Sequence, residues 1–148
     1  MPGGLRRRAN GRGGPRGARR FMQISQQRYA DVRVLTLNGR IDNGTSEAFK
    51  TELGTHVAEC RDGGDRVVLD FSGVDYISSV GLRVLMLAAR QTREQGGTIL
   101  VAAMQPVVRE IFEISRFNLV FECVDTVRQA LAKISPGGLA AYDAARPA

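Results

Sequence analysis

The spacing of hydrophobic residues changes once within the central segment of this chain. Residues 67–71 form a short apolar run rich in β-branched side chains, which predicts a buried strand. Polar residues at 72–75 predict a turn. From Val80 onward apolar residues recur every three or four positions, which predicts an amphipathic helix. We therefore expect a strand, a loop and a helix, with Ser78 and Ser79 at the start of the helix.

Two strands and one helix are predicted before this segment. Residues 23–29 are weakly patterned and residues 32–37 alternate between apolar and polar, so the two are expected to pair through a tight turn. Residues 38–39, Asn-Gly, should end the second strand. A helix follows, capped by Asn43 or Thr45. Its apolar stripe comprises Phe49, Leu53, Val57 and Cys60.

Two strands and two helices are predicted after the central helix, which should end at residues 96–97, Gly-Gly. Residues 98–102 form the next strand, and a helix begins at Pro106 because proline is tolerated in a first helical turn. A short strand at 119–121 and a helix at 127–134 complete the pattern. The apolar face of the Pro106 helix comprises Val107, Val108, Ile111, Phe112 and Ile114.

This order of elements predicts an α/β fold. Successive strand–helix–strand units form right-handed crossovers between parallel strands, whereas the first two strands form an antiparallel hairpin. We predict one domain over residues 22–134, with a mixed β-sheet whose core strands are parallel and are packed by about four helices. Residues 1–21, rich in Arg and Gly, are predicted to be a disordered extension, unless translation starts at Met22. Residues 135–148 are predicted to be a flexible C-terminal tail.

The positive charge of the chain lies outside the predicted domain. The net charge is +6, but seven arginines precede Phe21 without any acid among them, so the remainder carries a net charge of −1. We therefore predict no specific DNA binding by the domain; nucleic-acid binding by the arginine-rich extension is a separate alternative. No apolar run approaches the roughly 20 residues of a membrane-spanning helix. We expect a cytoplasmic protein without membrane insertion.

The sequence offers little for metal binding or catalysis. Cys60 and Cys123 are interpreted as small buried residues rather than a disulfide, and His56 is the only histidine, which argues against a zinc site. The two serines lie in SSVG, which is not the G-x-S-x-G of a hydrolase, and no phosphate-binding P-loop is present. We therefore predict no enzymatic activity, no cofactor and no metal.

Three carboxylates, Asp42, Asp70 and Asp75, follow or lie within predicted strands. They could cluster near the strand ends and bind magnesium, but three carboxylates without a second feature favour solvated loop acids.

A serine at a helix start has two interpretations. Its oxygen can cap the helix by accepting a hydrogen bond from a backbone N–H, and either Ser78 or Ser79 could do so. The same position also suits a phosphoserine, because helix N-termini favour anions. A phosphate would add roughly two negative charges to any surface that binds there. The residues alone leave both interpretations open.

Residues 69–82, LDFSGVDYISSVGL, resemble the signature of STAS-domain anti-sigma-factor antagonists. Residues 39–42, Gly-Arg-Ile-Asp, resemble the Gly-x-Leu/Ile-Asp loop of that family. The two glycines at 96–97 and the segment 106–117, PVVREIFEISRF, also fit its pattern. The resemblance extends from about Met22 to Ile134.

The resemblance implies partner switching in transcription regulation and stress signalling. In that family the unphosphorylated domain binds an anti-sigma factor that is also a serine kinase, and so releases the sigma factor. The kinase phosphorylates a serine just before the helix, which ends the interaction, and a PP2C-type phosphatase reverses it. Motif position assigns the phosphorylated serine to Ser79 and the nearby loop acid to Asp42.

Three departures from the family pattern bear on the site. Ser78 stands where many members have aspartate, which makes it the alternative phosphate acceptor. Val80 replaces a small or hydroxyl residue, and Arg116 stands where glycine is frequent.

The predicted partner-binding residues are Asp42, Asp75, Ser78, Val80, Gly81, Arg83 and Leu87. The alternative function is a STAS subunit of a lipid-transport ABC complex that needs no phosphorylation.

Overall fold

A computed structural model describes residues 23–146, which form a mixed five-stranded sheet with the strands in chain order. β1 pairs antiparallel with β2, whereas the pairs β2–β3, β3–β4 and β4–β5 are parallel. This confirms the predicted α/β fold. The strands are β1 Gln23–Tyr29, β2 Val32–Ile41, β3 Arg66–Ile77, β4 Ile99–Ala102 and β5 Glu122–Val124.

Within residues 23–146 five helices cover the two faces of the sheet, against about four predicted. They are α1 Ser46–Val57, α2 Ser79–Glu94, α3 Pro106–Ile114, α4 Val127–Ile134 and α5 Pro136–Ala145, with a short 3₁₀ helix at Phe117–Leu119. Residues of α1, α2 and α3 share the larger core with Leu69 and Phe71 of β3. Residues of α4 and α5 pack with Val68 on the opposite face. Because β3 is buried on both faces, its first half contains the uninterrupted apolar run Val67–Leu69.

Strand β3 continues through residues 72–75, where a turn was predicted, and β2 continues through residues 38–39, where a break was predicted. Both predictions were wrong. Past Asp70, β3 pairs only with β2, and two register shifts place extra residues on β3. Gly73 permits this ladder, because a Cβ there would lie 2.8 Å from the carbonyl oxygen of Leu37. The paired ends of β2 and β3 therefore project beyond the rest of the sheet.

The predicted flexible tail at 135–148 was also wrong over most of its length, because helix α5 occupies Pro136–Ala145. Ser135 caps this helix by accepting a hydrogen bond of 2.9 Å from the N–H of Gly138, and donates one of 2.6 Å to Asp31. The ring of Tyr142 packs edge-on against Tyr29 at 5.2 Å. These contacts are long-range, so local sequence gives little sign of them. The predicted extension 1–21 lies outside the described residues.

The last strand was predicted too early, at 119–121. Arg116 adopts a left-handed conformation with φ 63° and leads into the 3₁₀ helix, after which Phe121 enters the core and β5 begins. Glycine is frequent at the Arg116 position in the family pattern, and glycine adopts this left-handed conformation more readily than other residues.

The two cysteines and the histidine occupy packed positions. Cys60 is fully buried with its Sγ 3.1 Å from the carbonyl oxygen of Thr98, whereas Cys123 is only half-buried; neither forms a disulfide. Burial raises the pKa of both thiols and lowers the pKa of half-buried His56. Among residues 23–146 no helix is long and apolar enough to cross a membrane.

Candidate functional site

The projecting ends of β2 and β3 bring two loops together. The N–H of Ser78 donates a hydrogen bond of 2.8 Å to the carbonyl oxygen of Ile41, the last residue of β2. Asp42 follows Ile41 directly, and α2 begins directly after Ser78. The loop acid and the two serines implied by the resemblance are therefore neighbours, at the carboxyl edge of parallel strands where α/β proteins usually carry their sites.

Ser78 is the N-cap of α2. Its backbone is extended (φ −87°, ψ 171°), and its Oγ accepts a hydrogen bond of 3.1 Å from the N–H of Gly81. The side chain is half-buried. Of the two serines that could cap the helix, Ser78 is the one that does so.

Ser79 is the first residue of α2, and its side chain is exposed. Within the described residues, the N–H groups of Ser79 and Val80 donate to no protein acceptor, as expected for the first turn of a helix. Ser79 borders two surface depressions, one on each side of the start of α2.

Asp42 organises the loop after β2. Its carboxylate accepts hydrogen bonds from the N–H groups of Gly44 at 2.9 Å and Thr45 at 3.2 Å. Thr45 occupies the N-cap position of α1 as predicted, but its side chain caps nothing; its Oγ1 donates to the carbonyl oxygen of Arg40 at 2.9 Å. Asp42 therefore fixes the turn that precedes α1, and no side-chain hydrogen bond fills the capping role predicted for Asn43 or Thr45.

Arg40 and Tyr76 form the wall of the first depression. The Nε–H of Arg40 donates to Asp42 at 3.1 Å, and the guanidinium carbon lies 4.3 Å from the centre of the Tyr76 ring, a cation–π contact. We call this depression the serine cleft; it has a volume of about 740 Å³. Its lining comprises Arg40, Asp42, Asn43, Gly44, Thr45, Tyr76, Ser78 and Ser79.

The second depression is a largely apolar groove of about 470 Å³ between α2 and the segment after α3, which we call the α2 groove. Leu87 and Met86 are 43% and 39% exposed along it. Ile114 and Leu119, which flank the lining residues Ser115 and Phe117 in sequence, are 76% and 74% exposed. The α2 groove is lined by Ser79, Leu82, Arg83, Met86, Leu87, Arg90, Ser115 and Phe117.

The predicted partner-binding residues are not all exposed on the surface of the protein. Val80, Arg83 and Leu87 are exposed on α2, as is Asp75 on β3. Gly81 is buried, so its assignment to a contact surface was wrong. A Cβ at Gly81 would lie 2.6 Å from Cγ2 of Ile41, so this glycine lets α2 approach the end of β2.

Sequence reasoning missed part of the surface. Ile114 was assigned to the buried face of α3, and Leu119 to a strand. The available signal was the Arg116 position, where glycine is frequent in the family pattern. The structure ends α3 just before this residue and leaves Ile114 and Leu119 exposed.

The aspartates do not form a cation site. Asp70 lies within β3 and accepts a hydrogen bond of 3.0 Å from the N–H of Ser72, whereas Asp42 is in the loop after β2. Among the described residues no group of three His, Cys, Asp or Glu side chains is placed to hold a metal ion.

Comparisons with known proteins identify the family. The STAS domain matches residues 23–130, so this chain belongs to the STAS-domain family. Over 111 residues, this chain is 35% identical to BtrV of Bordetella bronchiseptica, which is named as a candidate anti-sigma factor antagonist. The matched region covers 75% of this chain and 93% of BtrV. Over 106 residues, it is 30% identical to RsfB of Mycobacterium tuberculosis, an anti-sigma-F factor antagonist. That match covers 72% of this chain and 84% of RsfB. The crystal structure of an anti-sigma factor antagonist from Mycobacterium paratuberculosis superposes with a TM-score of 0.68 at 25% identity, covering 76% and 93%.

Proposed function

We propose that this protein is an anti-sigma factor antagonist that works by partner switching. Unphosphorylated, it binds an anti-sigma factor that is also a serine kinase; phosphorylation of Ser79 releases it, and a PP2C-type phosphatase restores the binding form. The names of BtrV and RsfB support the antagonist role, and this chain spans 93% and 84% of their lengths.

The observation that carries the proposal is the difference between the two serines. The Ser78 oxygen is occupied as the cap of α2, whereas Ser79 is exposed and borders both the serine cleft and the α2 groove. A kinase needs a hydroxyl that can enter its active site, so Ser79 is the favoured acceptor.

The transfer itself requires only a hydroxyl from this chain. The Ser79 Oγ attacks the γ-phosphorus of ATP, an Oγ–P bond forms as the bond to the ADP oxygen breaks, and the hydroxyl proton passes to a base of the kinase. Nucleotide, Mg²⁺ and base belong to the kinase. In the reverse direction, water attacks the phosphorus on the phosphatase, which releases inorganic phosphate and regenerates the hydroxyl.

The α2 groove is the proposed docking surface for the kinase. Its exposed leucine and methionine provide apolar area, and Arg83 and Arg90 belong to the same lining. Buried apolar anchors with charged residues around them are typical of protein interfaces. A phosphate on Ser79 would place close to two negative charges at one end of this surface, where a bound partner must desolvate them.

Binding to the purified cognate kinase tests the proposal. We expect wild-type protein and Ser79→Ala to bind it, Ser79→Asp to bind at least about tenfold more weakly because of the added charge, and MgATP to release wild type but not Ser79→Ala. Equal binding of Ser79→Asp and Ser79→Ala would contradict the switch. Co-purification of the native protein with an ABC ATPase instead of a kinase would favour the lipid-transport alternative.

A further inference from the structure

The guanidinium group of Arg40 is a positive charge in the lining of the serine cleft, and much of its hydrogen-bonding capacity is unused. Its Nε–H donates to Asp42 at 3.1 Å, and its guanidinium lies over the Tyr76 ring. Within residues 23–146 the two terminal amino groups, Nη1 and Nη2, donate to no protein acceptor. The side chain is 56% exposed, so it can change rotamer without disturbing the core.

Asp42 does not depend on Arg40 for its hydrogen bonds. One carboxylate oxygen, Oδ1, accepts from the N–H groups of Gly44 and Thr45, and only Oδ2 contacts Arg40. Because the backbone donors fix Asp42 in place, Arg40 can leave without exposing an unpaired carboxylate. The ion pair is also solvent-exposed, and such pairs contribute little, about 0–1 kcal/mol.

Ser79 lines the same cleft as Arg40 and Asp42. A phosphate on its hydroxyl would carry close to two negative charges in a cleft that already holds the Asp42 carboxylate. Guanidinium groups bind phosphate oxygens through paired N–H donors, and such charge-assisted hydrogen bonds are stronger than neutral ones. Arg40 is the cation of the cleft lining, and a phosphate offers it twice the charge of Asp42.

We infer that Arg40 is the internal binding partner of a phosphate on Ser79, exchanging its contact with Asp42 for the phosphate oxygens. The inference rests on the proposed phosphorylation of Ser79 and adds the residue that holds the modified state. With the guanidinium drawn towards Ser79, the phosphate lies against this protein's own surface, and the cleft that was open in the unmodified protein is closed.

Arg83 is the rival partner, because it lies four residues after Ser79 on the same helix and lines the α2 groove. The two differ in setting. Arg40 is oriented by Asp42 and by the Tyr76 ring, whereas Arg83 has no hydrogen-bond or ion-pair partner among the described residues. The contact with the Tyr76 ring does not involve Asp42, so it still restricts the guanidinium after the exchange, and Arg40 loses less side-chain entropy on binding than Arg83.

The test uses protein carrying phosphoserine at position 79, incorporated during translation, so it does not depend on any kinase. Phosphorus NMR titration gives the second pKa of the phosphate, ordinarily near 6. We expect Arg40→Gln to raise this pKa by about half a unit or more, because a neighbouring cation favours the dianion. Arg90→Gln, which removes the same charge at the far end of the α2 groove, should leave it nearly unchanged.

The Arg40 Nε–H resonance supplies the second measurement. It is identified by its loss in Arg40→Gln, and it should shift between the Ser79 and phosphoserine forms of the otherwise unchanged protein. Equal phosphate pKa values in Arg40→Gln and Arg90→Gln would overturn the inference, as would a raised value in Arg83→Gln alone or an unmoved Nε–H resonance. If a kinase fails to modify Ser79 but the Arg40 shifts are observed, the proposed function fails while the phosphate contact stands.

Discussion

The hydroxyl oxygen of Ser78 accepts a hydrogen bond of 3.1 Å from the backbone N–H of Gly81. This bond distinguishes the two adjacent serines, because Ser78 is the cap of α2 whereas Ser79 is exposed. In sequence the two are equivalent hydroxyls at a helix start.

Ser78→Ala should therefore reduce stability, and Ser79→Ala should not. Loss of an N-cap oxygen costs about 1 kcal/mol, whereas an exposed serine in the first turn changes the free energy of unfolding by less than about 0.5 kcal/mol. Urea denaturation of both variants measures the difference. Equal losses in the two variants would contradict the assignment of the cap.

Gly81→Ala should lower the free energy of unfolding by about 1–3 kcal/mol, because the new Cβ would lie 2.6 Å from Ile41 Cγ2 and 2.9 Å from Ile77 Cγ1. Gly54→Ala is the matched control. Gly54 lies in α1 with open space at its Cβ position, so alanine there should stabilise by about 0.5–1 kcal/mol. Thermal unfolding should move in opposite directions for the two variants; a stable Gly81→Ala would show that α2 does not need this close approach.

Leu87→Asp should weaken binding to the kinase by about tenfold or more, since it places a charge in the apolar lining of the α2 groove. The control is Val107→Asp on α3, an apolar position that is 55% exposed against 43% for Leu87 and does not line the α2 groove. Both variants should fold, because both positions are exposed. Titration calorimetry that gave the two variants equal affinities would remove the α2 groove from the interface.

Asp65 should make stability depend on pH. The Arg28 guanidinium, hydrogen-bonded to Asp65 at 2.8 Å, lowers the pKa of this carboxyl, and Arg33 lies 2.6 Å from its other oxygen. A carboxyl whose pKa is lower in the folded state stabilises the protein above its unfolded pKa of about 4, and this stabilisation is lost as pH falls through the folded value.

Asp65→Asn should accordingly lower the free energy of unfolding by about 1–2 kcal/mol at pH 7. The difference from wild type should shrink as the pH is lowered below about 4. Urea denaturation at neutral and acid pH checks both statements, and a difference that stayed constant with pH would show that the carboxylate charge is not responsible.

Local pattern was sufficient for elements whose residue spacing follows directly from the faces they bury. The run at 67–71 and the period of α2 predicted both elements and placed the two serines at their junction. The turn predicted at 72–75 failed because polar residues there are accommodated by bulges against β2, a long-range pairing that single-strand periodicity cannot report. The prediction of a flexible tail in place of helix α5 failed for the same reason, since Tyr29 and Asp31, far away in sequence, supply the contacts of that segment.

The site was predicted in part. Motif position gave Ser79 and Asp42, and the structure places both on the serine cleft. The different tasks of Ser78 and Ser79 depend on backbone angles and one hydrogen bond, which two identical side chains in sequence cannot reveal. Exposure of Ile114 depends on where α3 ends, a boundary that periodicity defines poorly.

Phosphosite mapping tests the central claim most directly. After incubation with the cognate kinase and MgATP, intact mass should show one added phosphate on wild type and on Ser78→Ala, and none on Ser79→Ala; fragmentation of the wild-type product should place the phosphate on Ser79. A phosphate on Ser78, or Ser79→Ala modified as fully as wild type, would contradict the account.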